Sequence, residues 1–416
     1  MNASPLAPVP LPPDDHPARW RALVVLSVAE LLGMSLWFAA SAAAPALAER
    51  WSLTAGQTGW LTTAVQVGFV LGTAFAALLN LADVVPSRVL FPLAALLGAL
   101  ANVSLVWSGT FEMALLGRLL TGACLAGVYP PAMKMIATWF RARRGLAVGT
   151  VVGALTIGKA TPYLVRAFPG ASPETIVIVA SAAAALAALL VAVLYRDGPY
   201  PFPPRRFSWS LAGDVLRTRR WRLATGGYLG HMFELYSYWT WIPMFIAASM
   251  AASATGTADA HPTAVSIVSF LTIAVGGAGC IWGGLWADRH GRERLVTLSL
   301  LASGSCALII GLAFGGPLWV VALVALVWGF FVVADSAQFS VMVTESVPPH
   351  AVGTALTLQT SLGFLLTTVS IQLVPPIANM VGWQWAFAIL ALGPVAGIAS
   401  VRRLVRLRPA ASRVPG

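Results

Sequence analysis

The chain has 416 residues, 58% of them hydrophobic and 10% charged, with a formal net charge of +11. A soluble protein of this length needs far more charge to cover its surface, so a large water-soluble helical domain is excluded. The positive excess would suit a polyanion such as nucleic acid, but its placement along the chain excludes that reading.

Residues 1–18 are Pro-rich, carry Asp14, Asp15 and His16, and predict a disordered cytoplasmic tail. No cleavable signal peptide is expected, because no basic segment with a short apolar core precedes Arg19. Apolar runs of about 20 residues, the span of a bilayer core, then recur along the chain. They predict helices over about 22–47, 58–80, 89–108, 112–138, 145–167 and 175–195. A second set follows over about 223–250, 263–286, 295–314, 318–343, 353–378 and 384–401. Between the sets, residues 196–222 carry Pro199, Pro201, Pro203 and Pro204 and a run of Arg, which predicts a cytoplasmic linker loop. The expected architecture is an all-α membrane protein of twelve transmembrane helices. It has an N-terminal six-helix half at 19–195, a C-terminal half at 223–401 and a basic cytoplasmic tail at 402–416.

On this assignment Arg50 stands in a loop on the opposite side, and Arg118, Lys134, Lys159 and Arg166 fall within helices. Every other Lys and Arg of the 26 falls on one side. That is the positive-inside pattern, which orients the chain in the inner (plasma) membrane with both termini cytoplasmic. Cys124, Cys280 and Cys306 lie in separate apolar helices, with no disulfide framework or metal-ligand spacing. No Walker motif or nucleophile constellation is present, so neither an enzyme nor a cofactor is expected.

The stretch Gly284-Leu285-Trp286-Ala287-Asp288-Arg289-His290-Gly291-Arg292 joins the eighth and ninth predicted helices. It resembles the Gly-x-x-x-Asp-Arg-x-Gly-Arg signature of the major facilitator superfamily. The loop 81–88 stands where a first copy belongs and keeps only Asp83 and Arg88. Gly117-Arg118-Leu119-Leu120-Thr121-Gly122 is similar to that family's helix 4 motif, Arg-x-x-x-Gly. Tyr129-Pro130-Pro131, Gly230-His231-Met232-Phe233-Glu234, Asp335-Ser336-Ala337-Gln338 and Gly353-Thr354-Ala355 resemble bacterial members grouped with nitrate/nitrite porters. Those porters carry substrate arginines on helices 2 and 8. This chain has no Arg within 58–80 or 263–286, which speaks against nitrate as the solute. The resemblance implies two halves that rock about a central cavity lined by helices 1, 4, 7 and 10, and a gating latch at Asp288, Arg289, Arg292 and Asp83.

Ionisable groups inside a membrane are costly and mark functional sites by default. Glu30, Arg118, Lys134, His231, Glu234 and Asp335 fall on predicted helices 1, 4, 7 and 10, and Lys159 on helix 5. At helical spacing, Trp37 shares a stripe with Glu30, Tyr238 and Trp241 with Glu234, and Trp328 and Gln338 with Asp335. Each stripe suits a cavity lining or ordinary helix packing. Arg118 either anchors an anionic solute or pairs with Glu30 without touching solute; Lys134 either lines the cavity or snorkels. His231 and Glu234 suit proton handling better than a metal, for which no third ligand is near.

The chain is therefore expected to be a proton-coupled secondary transporter of a small anionic or carboxylate-bearing solute. Arg118, Lys159, Glu30, Trp37, Tyr129, Tyr238, Trp241 and Gln338 are the expected solute residues, and Glu234, His231 and Asp335 the coupling residues. The alternative is a proton antiporter exporting amphipathic compounds. The expected partners are the solute, protons and the lipid bilayer, with no nucleic acid and the chain acting as a monomer.

Overall fold

A computed structural model describes residues 16–79, 81–140, 143–200, 209–253 and 262–407, and helices dominate throughout. Eleven helices among the described residues are long and apolar enough to cross a membrane. They are helix 1 (Ala18–Trp51), helix 2 (Ala55–Leu78), helix 3 (Ser87–Trp107), helix 4 (Phe111–Ala137), helix 5 (Gly145–Arg166) and helix 6 (Pro173–Leu194). In the second half they are helix 8 (Pro262–His290), helix 9 (Arg292–Ala313), helix 10 (Leu318–Thr344), helix 11 (Pro349–Val381) and helix 12 (Trp383–Arg406). The remaining predicted span is helix 7 (Arg219–Ala251), whose 33 residues are ample for a bilayer. It falls short in apolarity because it carries His231, Glu234 and several Tyr and Trp residues, most of them buried.

The predicted boundaries hold to within a turn or two, with informative departures. Helix 1 begins inside the predicted tail, at Ala18. The predicted linker contains a helix, Trp209–Arg217, and helix 7 starts within it at Arg219. Helix 12 runs past the predicted end to Arg406. Residues 1–15, 201–208 and 408–416, where the rest of the tails and linker were expected, lie outside the described residues.

Among the described residues three helices are interrupted near their middle, two of them with a local cause. Helix 1 stops at Met34 and resumes at Ala39. There the Ser35 hydroxyl shares its donor between the Leu32 carbonyl at 2.6 Å, competing with the backbone for it, and the Ala180 carbonyl of helix 6 at 3.2 Å. Helix 4 stops at Leu125 and restarts at Tyr129, ahead of Pro130 and Pro131, which cannot donate to a preceding turn. Helix 10 turns at Asp335, between pieces ending at Ala334 and beginning at Ser336.

Within the first half, helix 1 packs on helices 5 and 6, helix 2 on helix 4, and helix 3 on helices 4 and 6. In the second, helix 7 packs on helices 11 and 12, helix 8 on helix 10, and helix 9 on helices 10 and 12. The halves meet where helix 5 crosses helix 8 and helix 2 crosses helix 11. At the first crossing, a Cβ on Gly153 would stand 3.0 Å from the Gly277 carbonyl oxygen, and one on Gly277 equally close to that of Gly153. Paired glycines allow this approach, the packing on which membrane helices depend.

Candidate functional site

Helix 5 meets helix 1 where a Cβ on Gly158 would lie 2.1 Å from the Leu31 carbonyl oxygen. This contact brings the neighbouring Lys159 and Glu30 to one crossing. They are 4% and 0% exposed, and each lies within reach of the other's charge. Lys159 Nζ donates a 2.6 Å hydrogen bond to the Tyr236 hydroxyl on helix 7. The ammonium also lies 4.3 Å from the Trp37 ring centre, 4.9 Å from Tyr236 and 5.4 Å from Trp239. Aromatic faces hold a desolvated cation through their quadrupoles.

The aromatic layer extends beyond this cage. Phe69 and Phe364 centres are 4.5 Å apart, Trp37 and Phe364 5.5 Å, and Phe38 and Trp239 6.1 Å. Helices 1, 2 and 5 of one half thereby meet helices 7 and 11 of the other around the buried Lys159. Both Glu30 carboxylate oxygens, Trp37 Nε1 and Trp239 Nε1 are buried with no hydrogen-bond partner among the described residues. Tyr129, half-buried at the restart of helix 4, feels the Glu30 charge.

Arg118 is placed differently from the solute anchor expected of it. It is fully buried inside the first half. Its Nη2 donates to the carbonyls of Leu36 (3.0 Å) and Trp37 (2.6 Å), Nη1 to Asn102 Oδ1 (2.6 Å) and Nε to the Leu61 carbonyl (3.4 Å). A guanidinium has five N–H donors, and these bonds occupy four. Two of its partners are the Leu36 and Trp37 carbonyls at the break in helix 1, so Arg118 ties the segment that presents Trp37 to helices 2 and 3.

Most of the helix 7 stripe expected to face the cavity, Glu234 and Tyr238, is turned into its own half. Glu234 Oε1 accepts from Trp328 Nε1 (2.7 Å) on helix 10, and Oε2 from the Ser303 hydroxyl (2.8 Å) on helix 9. The Tyr238 hydroxyl donates to the Ala325 carbonyl (2.6 Å), and its ring stacks on Trp328 at 4.1 Å. Trp241 Nε1 donates to the Ile371 carbonyl at 2.9 Å. Tyr236 and Trp239, three residues apart on another face, reach the first half, and so does the Trp241 ring, whose Cζ2 lies 2.8 Å from where a Cβ on Gly59 of helix 2 would stand. Neither Tyr236 nor Trp239 is among the expected site residues, although their spacing on a helix is visible in the sequence.

His231 Nε2 meets the Ser336 hydroxyl at 3.0 Å, and Nδ1 lies 3.0 Å from Asp335 Oδ1, off the line of a hydrogen bond. Both side chains are buried, at the turn in helix 10. Gln338 is nearly buried on the following segment, and Lys134 half-buried on the second piece of helix 4.

At the signature loop, Gly291 has a φ of +92°, a conformation glycine adopts without strain. The Asp288 carboxylate lies across the interface at the start of helix 5, 3.9 Å from where a Cβ on Gly145 would stand. Arg292 forms an ion pair with Glu345 at the end of helix 10, joining helices of the same half. Arg289 is exposed. Asp83 falls in a single turn, Leu81–Val84, and its side chain lies outside the described residues.

Known proteins share this architecture. The chain is 29% identical over 214 residues to uncharacterised transporters named YgaY from two Escherichia coli strains. That match takes in 47% of this chain and spans about half, 52%, of the relatives' length. The nucleoside transporter NupG, solved as a point mutant, superposes with a TM-score of 0.71 at 16% identity, covering 92% of this chain and 99% of that one. A bacterial homologue of the human lysosomal transporter Spinster, inward-facing and occupied, gives 0.69 at 15% identity over 95% and 98%. The Major Facilitator Superfamily pattern matches residues 26–370 and 228–416. With its helical halves and central buried charge, the chain belongs to the Major Facilitator Superfamily of membrane transporters.

Proposed function

We propose that this transporter carries a small organic anion together with a proton by alternating access. Lys159 is the charge that holds the anion, and Glu30 the carboxyl that carries the proton. The observation behind this reading is the placement of Lys159: it is buried at the boundary of the halves, beside Glu30, and bonded to Tyr236 of the other half. Moving a net charge through a bilayer is costly. With Glu30 ionised, the empty site is neutral because Lys159 compensates it. When Glu30 takes a proton and the solute brings a negative charge, the loaded site is neutral again. A proton alone, or an anion alone, leaves a charge and stalls the rocking step. The sequence placed the coupling proton on Glu234. The geometry favours Glu30, because Glu234 is walled in by helices 9 and 10 of its own half. The basic side carrying both termini is the cytoplasmic face on this reading.

The broad apolar layer of Trp37, Phe69, Tyr236, Trp239 and Phe364 also favours a second reading, an antiporter exporting amphipathic compounds. Uptake into proteoliposomes separates the two. Symport drives an organic anion inward when the outside is acidic; antiport drives an amphipathic compound inward when the lumen is acidic.

A further inference from the structure

Gln66 on helix 2 is fully buried, and neither its amide oxygen nor its amide nitrogen has a hydrogen-bond partner among the described residues. Two other buried amides are held. Asn102 bonds Arg118, Val177 and Ser181, and Gln359 bonds the Phe339 carbonyl. A buried amide with both ends unmatched is unfavourable and calls for a partner.

Its position identifies the partner. On the contact between helices 1 and 2, Thr62 meets Ser41 at 2.6 Å, and the Phe69 ring packs on Trp37 at 5.3 Å. Gln66 comes one turn after Thr62 and one turn before Phe69, hence on the face that meets helix 1 beside Trp37. Trp37 is also the wall of the Lys159 cage, and its own Nε1 is unmatched. A charge, flat aromatic walls and an uncharged donor–acceptor group therefore stand together around one indole.

We propose that Gln66 and Trp37 Nε1 form the uncharged polar end of the solute site, and that the solute is an aromatic carboxylate with a ring hydroxyl apart from its acid group. This rests on the anion reading of Lys159. The carboxylate meets Lys159, the ring lies among the aromatic side chains, and the hydroxyl both donates to and accepts from Gln66.

The test uses purified full-length protein and four probes, benzoate and its 2-, 3- and 4-hydroxy derivatives, with binding measured by calorimetry. At least one hydroxybenzoate is expected to bind more tightly than benzoate by about tenfold or more, the ratio two neutral hydrogen bonds give. Gln66→Leu is expected to bring that pair within about twofold of each other. Equal binding of all four probes to the wild type, no binding of any, or a preference that survives Gln66→Leu overturns the proposal. The wild-type series decides alone if Gln66→Leu does not fold. Lys159→Gln is expected to weaken all four probes alike. If it leaves all four unchanged while the Gln66-dependent preference persists, the anion reading fails and the Gln66 contact stands.

Discussion

Lys159 of the first half donates a 2.6 Å hydrogen bond to Tyr236 of the second, so a buried charge is held by a side chain of the other half, from which it parts in the proposed alternating-access cycle. A hydrogen bond from a charged donor contributes about 1.5–3 kcal/mol. Tyr236→Phe keeps the ring and removes the acceptor. It should shift the balance between closed and parted halves about tenfold or more toward the parted form. Distances between spin labels on the two halves read this out; an unchanged distribution would show that the bond does not hold the halves together.

Arg118→Lys should damage the fold before it touches solute recognition. Lysine keeps the charge but cannot reach Leu36, Trp37, Asn102 and Leu61 together. The loss of two or more charged hydrogen bonds predicts destabilisation of about 3 kcal/mol or more. It is seen as a lower melting temperature without solute. Normal stability with lost anion binding would return Arg118 to the role of solute anchor.

Asp288→Asn tests the latch at the start of helix 5. A carboxylate near a helix N-terminus is favoured by the backbone dipole, and the neutral amide gains less. Transport should change about two- to fivefold with affinity unaltered. A loss of affinity with normal exchange rates would place Asp288 in the solute site.

The spans and the pairing of six with six helices were legible, because apolar length is a direct physical requirement of the bilayer. The site was legible in its members more than in its arrangement. Lys159, Glu30 and Trp37 stood out as charges or polar aromatics in apolar runs, and they meet. The facing side of helix 7 did not stand out, because Glu234, Tyr238 and Trp241 on one face and Tyr236 and Trp239 on another look equally suited to a cavity. Only the partners on helices 9, 10 and 11 decide which face turns inward. The role of Arg118 was hidden for a related reason. Two of its partners are backbone carbonyls at a break in helix 1, and no proline marks that break.

Glu30→Gln is the most direct test of the account. The amide keeps the size of the side chain and mimics the protonated carboxyl. In proteoliposomes under an imposed pH gradient, the variant should exchange a bound organic anion between equal pools but no longer accumulate it. Glu234→Gln should still accumulate it. Accumulation by Glu30→Gln, together with its loss in Glu234→Gln, would contradict the assignment of the coupling proton to Glu30 and place it in the second half.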